Sequence, residues 1–178
     1  MAEYNRNINT EDVVDVDEDE DTQANKYLNF RIGEESYGIY IKHVREIIEL
    51  QNISEVPDMP DYVKGVINLR GKVIPIVDIR LRFQFEERKY DDRTCIIVVE
   101  INNSVIGFVV DTVEDVLEIP EKEVEPAPKF KTASGKDRYI SGVGKVGDTV
   151  KILLDIEKLI YEDDLHDINQ NAKVENKA

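Results

Sequence analysis

The feature that most constrains the fold is an internal repeat. Residues 27–50 overlay residues 96–119 without a gap after a shift of 69 positions, and residues 62–83 overlay residues 139–160 after a shift of 77. The apolar alternation stays in phase through both overlays. The second shift is eight positions longer than the first, which corresponds to an insertion of eight residues in the second copy. Two collinear overlays indicate a duplicated unit. The matched residues include Gly38 with Gly107, Val44 with Val113, Glu49 with Glu118, Tyr62 with Tyr139 and Asp78 with Asp155.

Strand patterns fill both copies of the repeat. The segments are short, rich in Val, Ile and Tyr, and bounded by Gly, Asn, Asp and Pro, which is typical of β-strands. They predict two all-β units, about 26–84 and 94–161, each with about five strands that curl into a small barrel. Short helical turns are predicted at 42–46, 78–83 and 155–161. Two such units side by side would leave a groove between them for a partner.

The negative charge is concentrated at the two ends of the chain. Of the formal net charge of −15, residues 1–26 carry −7 and residues 162–178 carry −3, so the body is only mildly acidic. Neither end shows apolar periodicity, and we therefore expect disordered tails over 1–25 and 162–178 around one folded region, 26–161. The sequence has no basic face, which argues against a nucleic-acid partner.

The single cysteine, Cys95, lies in the apolar run TCIIVV and allows no disulfide within one chain. This is typical of a reducing compartment. The N-terminus lacks the basic-then-apolar pattern of a signal peptide, and no apolar run approaches the roughly 18–20 residues of a membrane span. We therefore expect a cytoplasmic protein without direct membrane insertion, in which Cys95 is an inert thiol at a strand margin.

Two patterns that could indicate a cofactor or a metal are incomplete. Gly142, Gly144 and Gly147 form G-x-G-x-x-G, but a strand rather than a helix is predicted to follow, so we interpret them as a hairpin turn. The acidic run DVDEDED has the carboxylate spacing that opens a calcium loop. However, Glu20 stands where that loop needs glycine, and Lys26 stands where it needs a closing glutamate.

The remaining candidates for catalysis are equally unspecific. His43 has no Cys or His at metal-ligand spacing and is interpreted as a surface or turn residue. Paired carboxylates occur in turns and on polar faces, and nothing favours one pair over another as a catalytic site; they include Glu34/Glu35, Asp91/Asp92 and Glu114/Asp115. We predict no catalytic residue, no metal and no cofactor.

Arg70 stands out because the duplication does not reproduce it. It follows the run GVINL in a predicted turn, and the second copy has Gly147 in its place. It could be a solvated turn residue, a contact for another protein, or a charge-assisted and potentially bidentate partner of a carboxylate. Glu46 is the best candidate within the chain because it begins the predicted strand EIIEL one connection earlier. Such a pair would hold the Arg70 turn rigid.

The eight-residue insertion is a second unmatched element, in the stretch PEKEVEPAPKFKTASGKD. Its prolines and lysines predict an exposed loop, in which Phe130 is the conspicuous residue. The ring of Phe130 either folds back onto the barrel or contacts another protein.

The body of the chain, from about 27 to 161, resembles the CheW family of bacterial chemotaxis coupling proteins. The matching stretches follow the expected order and read YGIYIKHVREI, PDMPDYVKGVINLRGKVIPIVDIRLRF, IGFVVDTVEDVLEI, EVEPAPKF and YISGVGKVGDTVKILLDIEKLI. The resemblance implies two intertwined five-stranded SH3-like barrels. It also implies a non-enzymatic adaptor that joins the cytoplasmic tip of methyl-accepting chemoreceptors to the histidine kinase CheA, whose regulatory domain is a related double barrel.

Carried over by position, the resemblance implies receptor-contact or receptor-coupling roles near Val44, Gly65 and Arg70, with Glu46 and Arg70 paired to each other. Phe130 matches a kinase-contact or ring-contact position, and self-association in rings is a further expectation. The acidic N-terminal tail departs from the family pattern. No receiver or kinase domain follows the match, which favours a stand-alone adaptor. The alternatives are a double SH3-like binding scaffold in another pathway, similar to CheV or the CheA regulatory domain, and an enzyme on a barrel scaffold.

Overall fold

The computed structural model describes residues 23–127 and 139–160. The strands in these residues are β1 (Lys26–Ile32), β2 (Glu35–Tyr40), β3 (Val44–Glu49), β4 (Val63–Leu69), β5 (Lys72–Asp78), β6 (Cys95–Ile101), β7 (Ser104–Val110), β8 (Thr112–Glu118), β9 (Val124–Glu125), β10 (Ile140–Val146) and β11 (Thr149–Leu154). Short helices follow β5 and β11, namely α1 (Ile79–Arg82) and α2 (Ile156–Ile160), and single 3-10 turns form at Ile41–His43 and Glu121–Glu123.

The strands form two sheets that exchange hairpins between the two copies of the repeat. The five-stranded sheet has the order β3-β6-β7-β5-β4, and the six-stranded sheet has the order β8-β1-β2-β11-β10-β9. The first hairpin of each copy therefore lies inside the sheet that holds the later strands of the other copy. This confirms the predicted all-β fold of two intertwined SH3-like barrels. It also shows that the sequence repeats and the sheets are different units.

The overlay of the two copies holds in three dimensions. A parallel pairing joins β5 to β7 with Ile76 opposite Gly107, and the equivalent pairing joins β11 to β2 with Leu153 opposite Gly38. A Cβ on Gly107 would lie 2.6 Å from the Cδ1 atom of Ile76, and one on Gly38 would lie 2.9 Å from a Cδ atom of Leu153. The matched glycines therefore leave room for the Ile76 and Leu153 side chains on the neighbouring strands.

The hydrophobic core explains the longest apolar run of the sequence. Along β6, Ile96 and Val98 point into the interior of the five-stranded barrel, whereas Ile97 and Val99 point into the larger core shared with the six-stranded sheet. These four residues are 0% exposed. A strand buried on both faces needs apolar residues at every position, and each such side chain contributes about 1.5–3 kcal/mol.

Two local predictions were wrong. The helical turn predicted at 42–46 ends at His43, because the β-branched Val44 begins β3 and pairs with Val99 on β6. Of the three glycines interpreted as a hairpin turn, only Gly147 lies in the turn between β10 and β11. Gly142 and Gly144 lie within β10, where a Cβ would come 2.9 Å from the carbonyl oxygen of Glu125 and 2.8 Å from a methyl carbon of Ile119.

Asp111 is the single residue between β7 and β8, where the chain passes from one sheet to the other. Its carboxylate accepts hydrogen bonds from the Arg80 guanidinium, from Arg88 at 3.1 Å and from the Gly33 N–H at 2.7 Å. Burial alone would raise the pKa of Asp111, but these hydrogen bonds and the two guanidinium charges outweigh burial and hold the pKa below its usual range.

We expect the Asp111 cluster to make stability depend on pH in the acid range. A carboxyl whose pKa is lowered by folding stabilises the protein above its unfolded pKa of about 3.9, and this contribution is lost as the pH falls through the folded pKa. Asp111→Asn should therefore cost about 1–3 kcal/mol at pH 7. The difference in the free energy of unfolding between Asp111→Asn and the natural sequence, measured by urea titration, should shrink below about pH 4. A difference that stays constant from pH 7 to the acid range would contradict this account.

Candidate functional site

The structure brings together two of the residues that the sequence analysis singled out. Arg70 donates a hydrogen bond from its Nη2 atom to the Oε1 atom of Glu46. The Arg70 side chain is 70% exposed and that of Glu46 is 28% exposed, so the guanidinium group remains accessible from solvent. The hydrogen bond to Glu46, together with the carboxylate charge, raises the pKa of Arg70. An ion pair this exposed contributes little to folding stability, and it is suited to recognition instead.

The turn that carries Arg70 has an uncommon backbone. Leu69 and Lys72 are paired, and the two residues between them, Arg70 and Gly71, have φ values of +51° and +85°. Positive φ at both central positions is the pattern of a type I′ hairpin turn, where Asn, Asp and Gly are the usual residues. Asn68 supports the turn by accepting the Gly71 N–H at 2.8 Å. An arginine held in this conformation, with its side chain on Glu46, marks a candidate functional position.

The ion pair lies where the two edges of the five-stranded sheet meet. Glu46 is on β3 and Arg70 follows β4, and these two strands are the outermost strands of the sheet. The segment after β3 also contacts β4, because Ser54 and Val66 exchange two backbone hydrogen bonds of 2.9 Å each. We call this junction, formed by Glu46, Ser54, Val66 and Arg70, the seam of the five-stranded barrel.

Gly65 is part of this seam through its backbone. Its φ is +138°, and a Cβ there would lie 1.9 Å from the carbonyl oxygen of Ser54. Only glycine allows β4 to approach Ser54 this closely. Gly65 lies five residues before Arg70, so the two residues are about 15 Å apart along the strand.

The six-stranded sheet has an equivalent seam, in which the positions of Arg70 and Glu46 hold no ion pair. Glu125 on β9 pairs with Val143 as Ser54 pairs with Val66, and Gly142 approaches Glu125 as Gly65 approaches Ser54. The residue that overlays Arg70 is Gly147, and the residue that overlays Glu46 is Asp115.

Asp115 instead accepts a long hydrogen bond of 3.4 Å from Asn29. The second seam has its own exposed ion pair, between Lys145 and Glu125 at 2.5 Å. The two seams therefore differ in the donor group, which is a guanidinium group in one and an ammonium group in the other.

The other predicted site residues do not converge on one point. Val44 is the first residue of β3, two positions before Glu46, and packs against the larger core. Phe130 lies outside the described residues, as do the acidic run and the predicted tails, so their assignments stay predictions. A shallow pocket of about 590 Å³ lies beside β3, between residues 47–50 and 91–95, and both walls belong to the five-stranded sheet and its connections.

The remaining candidates for chemistry have ordinary surroundings in the structure. Burial lowers the pKa of His43, the charge of Lys42 lowers it further, and the carboxylates of Glu157 and Asp155 partly oppose both effects. Burial also raises the pKa of the Cys95 thiol, which disfavours the reactive thiolate.

Within residues 23–127 and 139–160, no three His, Cys, Asp or Glu side chains are grouped so that they could hold a metal ion. Among the helices in these ranges, none is long and apolar enough to cross a membrane.

Two contacts that shape the site region were not predicted from the sequence. Arg80 and Asp111 are 31 residues apart and have opposite charges, but the duplication gives no signal for the pair because Asp111 overlays Lys42. The Ser54 contact could have been anticipated only from Gly65, whose exact overlay on Gly142 indicates a backbone requirement in both copies.

Comparisons with known proteins agree with this architecture. Residues 26–164 match the family model described as CheW-like domain. The chain is 37% identical to the chemotaxis protein CheW of Klebsiella aerogenes over 86% of this chain and 92% of that protein, and 31% identical to the chemotaxis protein CheW of Helicobacter pylori over 82% and 87%.

A solved structure is also similar. The crystal structure of the scaffolding protein TtCheW from Thermoanaerobacter tengcongensis superposes with a TM-score of 0.71 at 33% identity, covering 78% of this chain and 94% of that one. A match of this extent to the family model, to full-length relatives and to a solved structure leaves one assignment. The chain belongs to the CheW family of chemotaxis scaffold proteins.

Proposed function

We propose that the protein is a non-enzymatic adaptor that couples methyl-accepting chemoreceptors to the histidine kinase CheA at signalling arrays on the cytoplasmic face of the membrane. The observation that carries the proposal is the ion pair between Arg70 and Glu46, which is exposed on one barrel and has no counterpart at the equivalent positions, Gly147 and Asp115, of the other. Membership of the CheW family supports the pathway.

An adaptor has to bind two different partners at the same time. A duplicated fold offers two similar barrels, and a difference in charge between equivalent positions lets each barrel discriminate between partners. Arg70 gives the five-stranded barrel a planar donor group that can engage carboxylates or carbonyl oxygens of a receptor helix. We assign the receptor contact to the region of Val44, Glu46, Gly65 and Arg70, and a kinase or ring contact to Phe130.

Coupling requires more than simultaneous binding. An adaptor transmits a signal only when its binding free energy differs between the receptor's signalling states, and typical coupling free energies are about 1–3 kcal/mol. A rigid Arg70 turn supports such a difference because the guanidinium group presents its donors in one orientation, set by Glu46.

The bridging role can be tested by sedimenting CheA with receptor-containing membranes, with all three proteins from one organism. We expect CheA to enter the membrane pellet only when this protein is added. Arg70→Ala should lower the amount of both proteins in the pellet and leave their binding to each other in solution unchanged. Lys145→Ala is a matched control, because Lys145 lies on the equivalent seam of the other barrel, is 52% exposed and pairs with Glu125 at 2.5 Å.

Three outcomes would count against the proposal. If CheA sediments with the membranes equally well without this protein, then this protein does not link CheA to the receptors. An adaptor that binds neither CheA nor receptor membranes belongs to another pathway. Equal losses for Arg70→Ala and Lys145→Ala would mean that general surface charge, rather than the Arg70 turn, supports receptor binding.

A further inference from the structure

A buried cation contacts two aromatic rings at the junction of the two sheets. Arg82, the last residue of α1, is only 8% exposed. Its guanidinium carbon lies 4.6 Å from the ring centroid of Tyr62 and 4.7 Å from that of Tyr139. Both distances are within the range of a cation–π contact, and such contacts are stronger where the cation is removed from water.

The two tyrosines are equivalent residues of the two copies and belong to different sheets. Tyr62 immediately precedes β4 of the five-stranded sheet, and Tyr139 immediately precedes β10 of the six-stranded sheet. The carbonyl oxygen of Tyr62 accepts the N–H of Asp78 at 2.7 Å, and that of Tyr139 accepts the N–H of Asp155 at 2.7 Å. Each ring is therefore attached to a backbone held by its own barrel, and Arg82 contacts both.

Only one copy of the repeat supplies this cation. The residue that overlays Arg82 is Leu159, which is 1% exposed. Leucine at position 82 would be expected if apolar packing were the whole requirement at this junction. Arginine is suited to a place between two rings because its planar, weakly hydrated guanidinium group can stack on an aromatic face on each side, whereas the compact lysine ammonium group cannot.

Other aromatic contacts lie at the same junction. Phe83 stacks on Tyr139 with centroids 6.2 Å apart and meets Tyr37 at 5.4 Å. Arg82 differs from these rings in that its cation contacts one equivalent tyrosine from each copy.

We propose that Arg82 is a positioning residue that fixes the orientation of the two intertwined barrels relative to each other. The link to coupling rests on the proposed function: Arg82 holds the Arg70 turn of the five-stranded barrel in a fixed position relative to the six-stranded barrel. Each strand belongs to one sheet, so the loss of Arg82 should leave each sheet folded and change the orientation of the sheets relative to each other.

Residual dipolar couplings measured by NMR on the full chain test the orientation directly. In the natural sequence, backbone couplings from the two sheets should fit one alignment tensor. In Arg82→Leu, which gives positions 82 and 159 the same residue, we expect the joint fit to worsen and the tensors fitted to the two sheets separately to differ in orientation. Arg82→Lys keeps the charge, and its couplings should depart from a common alignment tensor in the same way but by less. Arg45→Leu, an arginine removed from an exposed strand position, should keep the common tensor.

The result that would overturn the proposal is a common tensor of unchanged magnitude in both Arg82 variants. Arg82→Lys alone decides the question if Arg82→Leu does not fold. A second measurement uses receptor-stimulated CheA activity. A loss of stimulation in Arg82→Leu, with receptor and kinase binding each retained, would support the link to coupling. A lost common tensor together with full stimulation would retain Arg82 as a positioning residue and remove its link to the proposed function.

Discussion

Replacing Gly65 with alanine is expected to lower the free energy of unfolding by about 3 kcal/mol or more, a large effect for one added methyl group. The new Cβ would lie 1.9 Å from the carbonyl oxygen of Ser54, and the φ of +138° is unfavourable for any residue with a Cβ. Relief requires movement of the backbone at Ser54, which breaks the paired hydrogen bonds to Val66. Urea denaturation followed by circular dichroism gives the free energy.

Gly71→Ala is the matched control for this prediction. Gly71 also has a positive φ, +85°, but a Cβ there would meet nothing within 4 Å. Its cost should be limited to backbone strain, about 1 kcal/mol. Equal costs for the two substitutions would mean that the close approach to Ser54 is not maintained in solution, and the seam would lose its main structural basis.

The second large effect concerns the charge of the Arg70 turn. Arg70→Glu places two carboxylates together at the seam, and we expect receptor-dependent kinase stimulation to fall by about tenfold or more. The melting temperature should change little because the Arg70 side chain is 70% exposed. The double variant Glu46→Arg/Arg70→Glu restores an ion pair with its direction reversed.

The double variant separates two roles of the ion pair. Partial recovery of stimulation relative to Arg70→Glu would show that the pair acts by holding the turn in place. Absence of recovery, with the fold intact, would show that the guanidinium group at position 70 contacts the receptor itself. Full stimulation in Arg70→Glu alone would contradict both roles and leave Arg70 as a solvated turn residue.

The repeat predicted the strands well because both copies show period-two alternation and have their turns in the same order. After the shift of 69, the bounds of β1 fall on those of β6, and after the shift of 77 the bounds of β4 fall on those of β10. The exchange of hairpins could not be derived from the same pattern. The first hairpin of a copy buries the same residues whether it pairs with the later strands of its own copy or with those of the other copy. Only the resemblance to a known family therefore indicated that the barrels are intertwined.

The candidate site was predictable only in part. Arg70 was singled out because the duplication does not reproduce it, and the structure places its side chain on Glu46. The role of Gly65 depends on a close approach to Ser54 that follows from the positive φ, and φ is not visible in a sequence. The Arg82 contact joins two equivalent tyrosines across both sheets, and that meeting depends on the exchange of hairpins.

The most direct test of the adaptor account is ATP-dependent autophosphorylation of CheA on receptor-containing membranes, measured with and without this protein. Receptor and kinase should come from one organism, and the protein concentration should be varied to saturation. The account predicts a large rise in autophosphorylation when the protein is added, reversed by attractant. An unchanged rate, or a rise that attractant does not reverse, would contradict the coupling role.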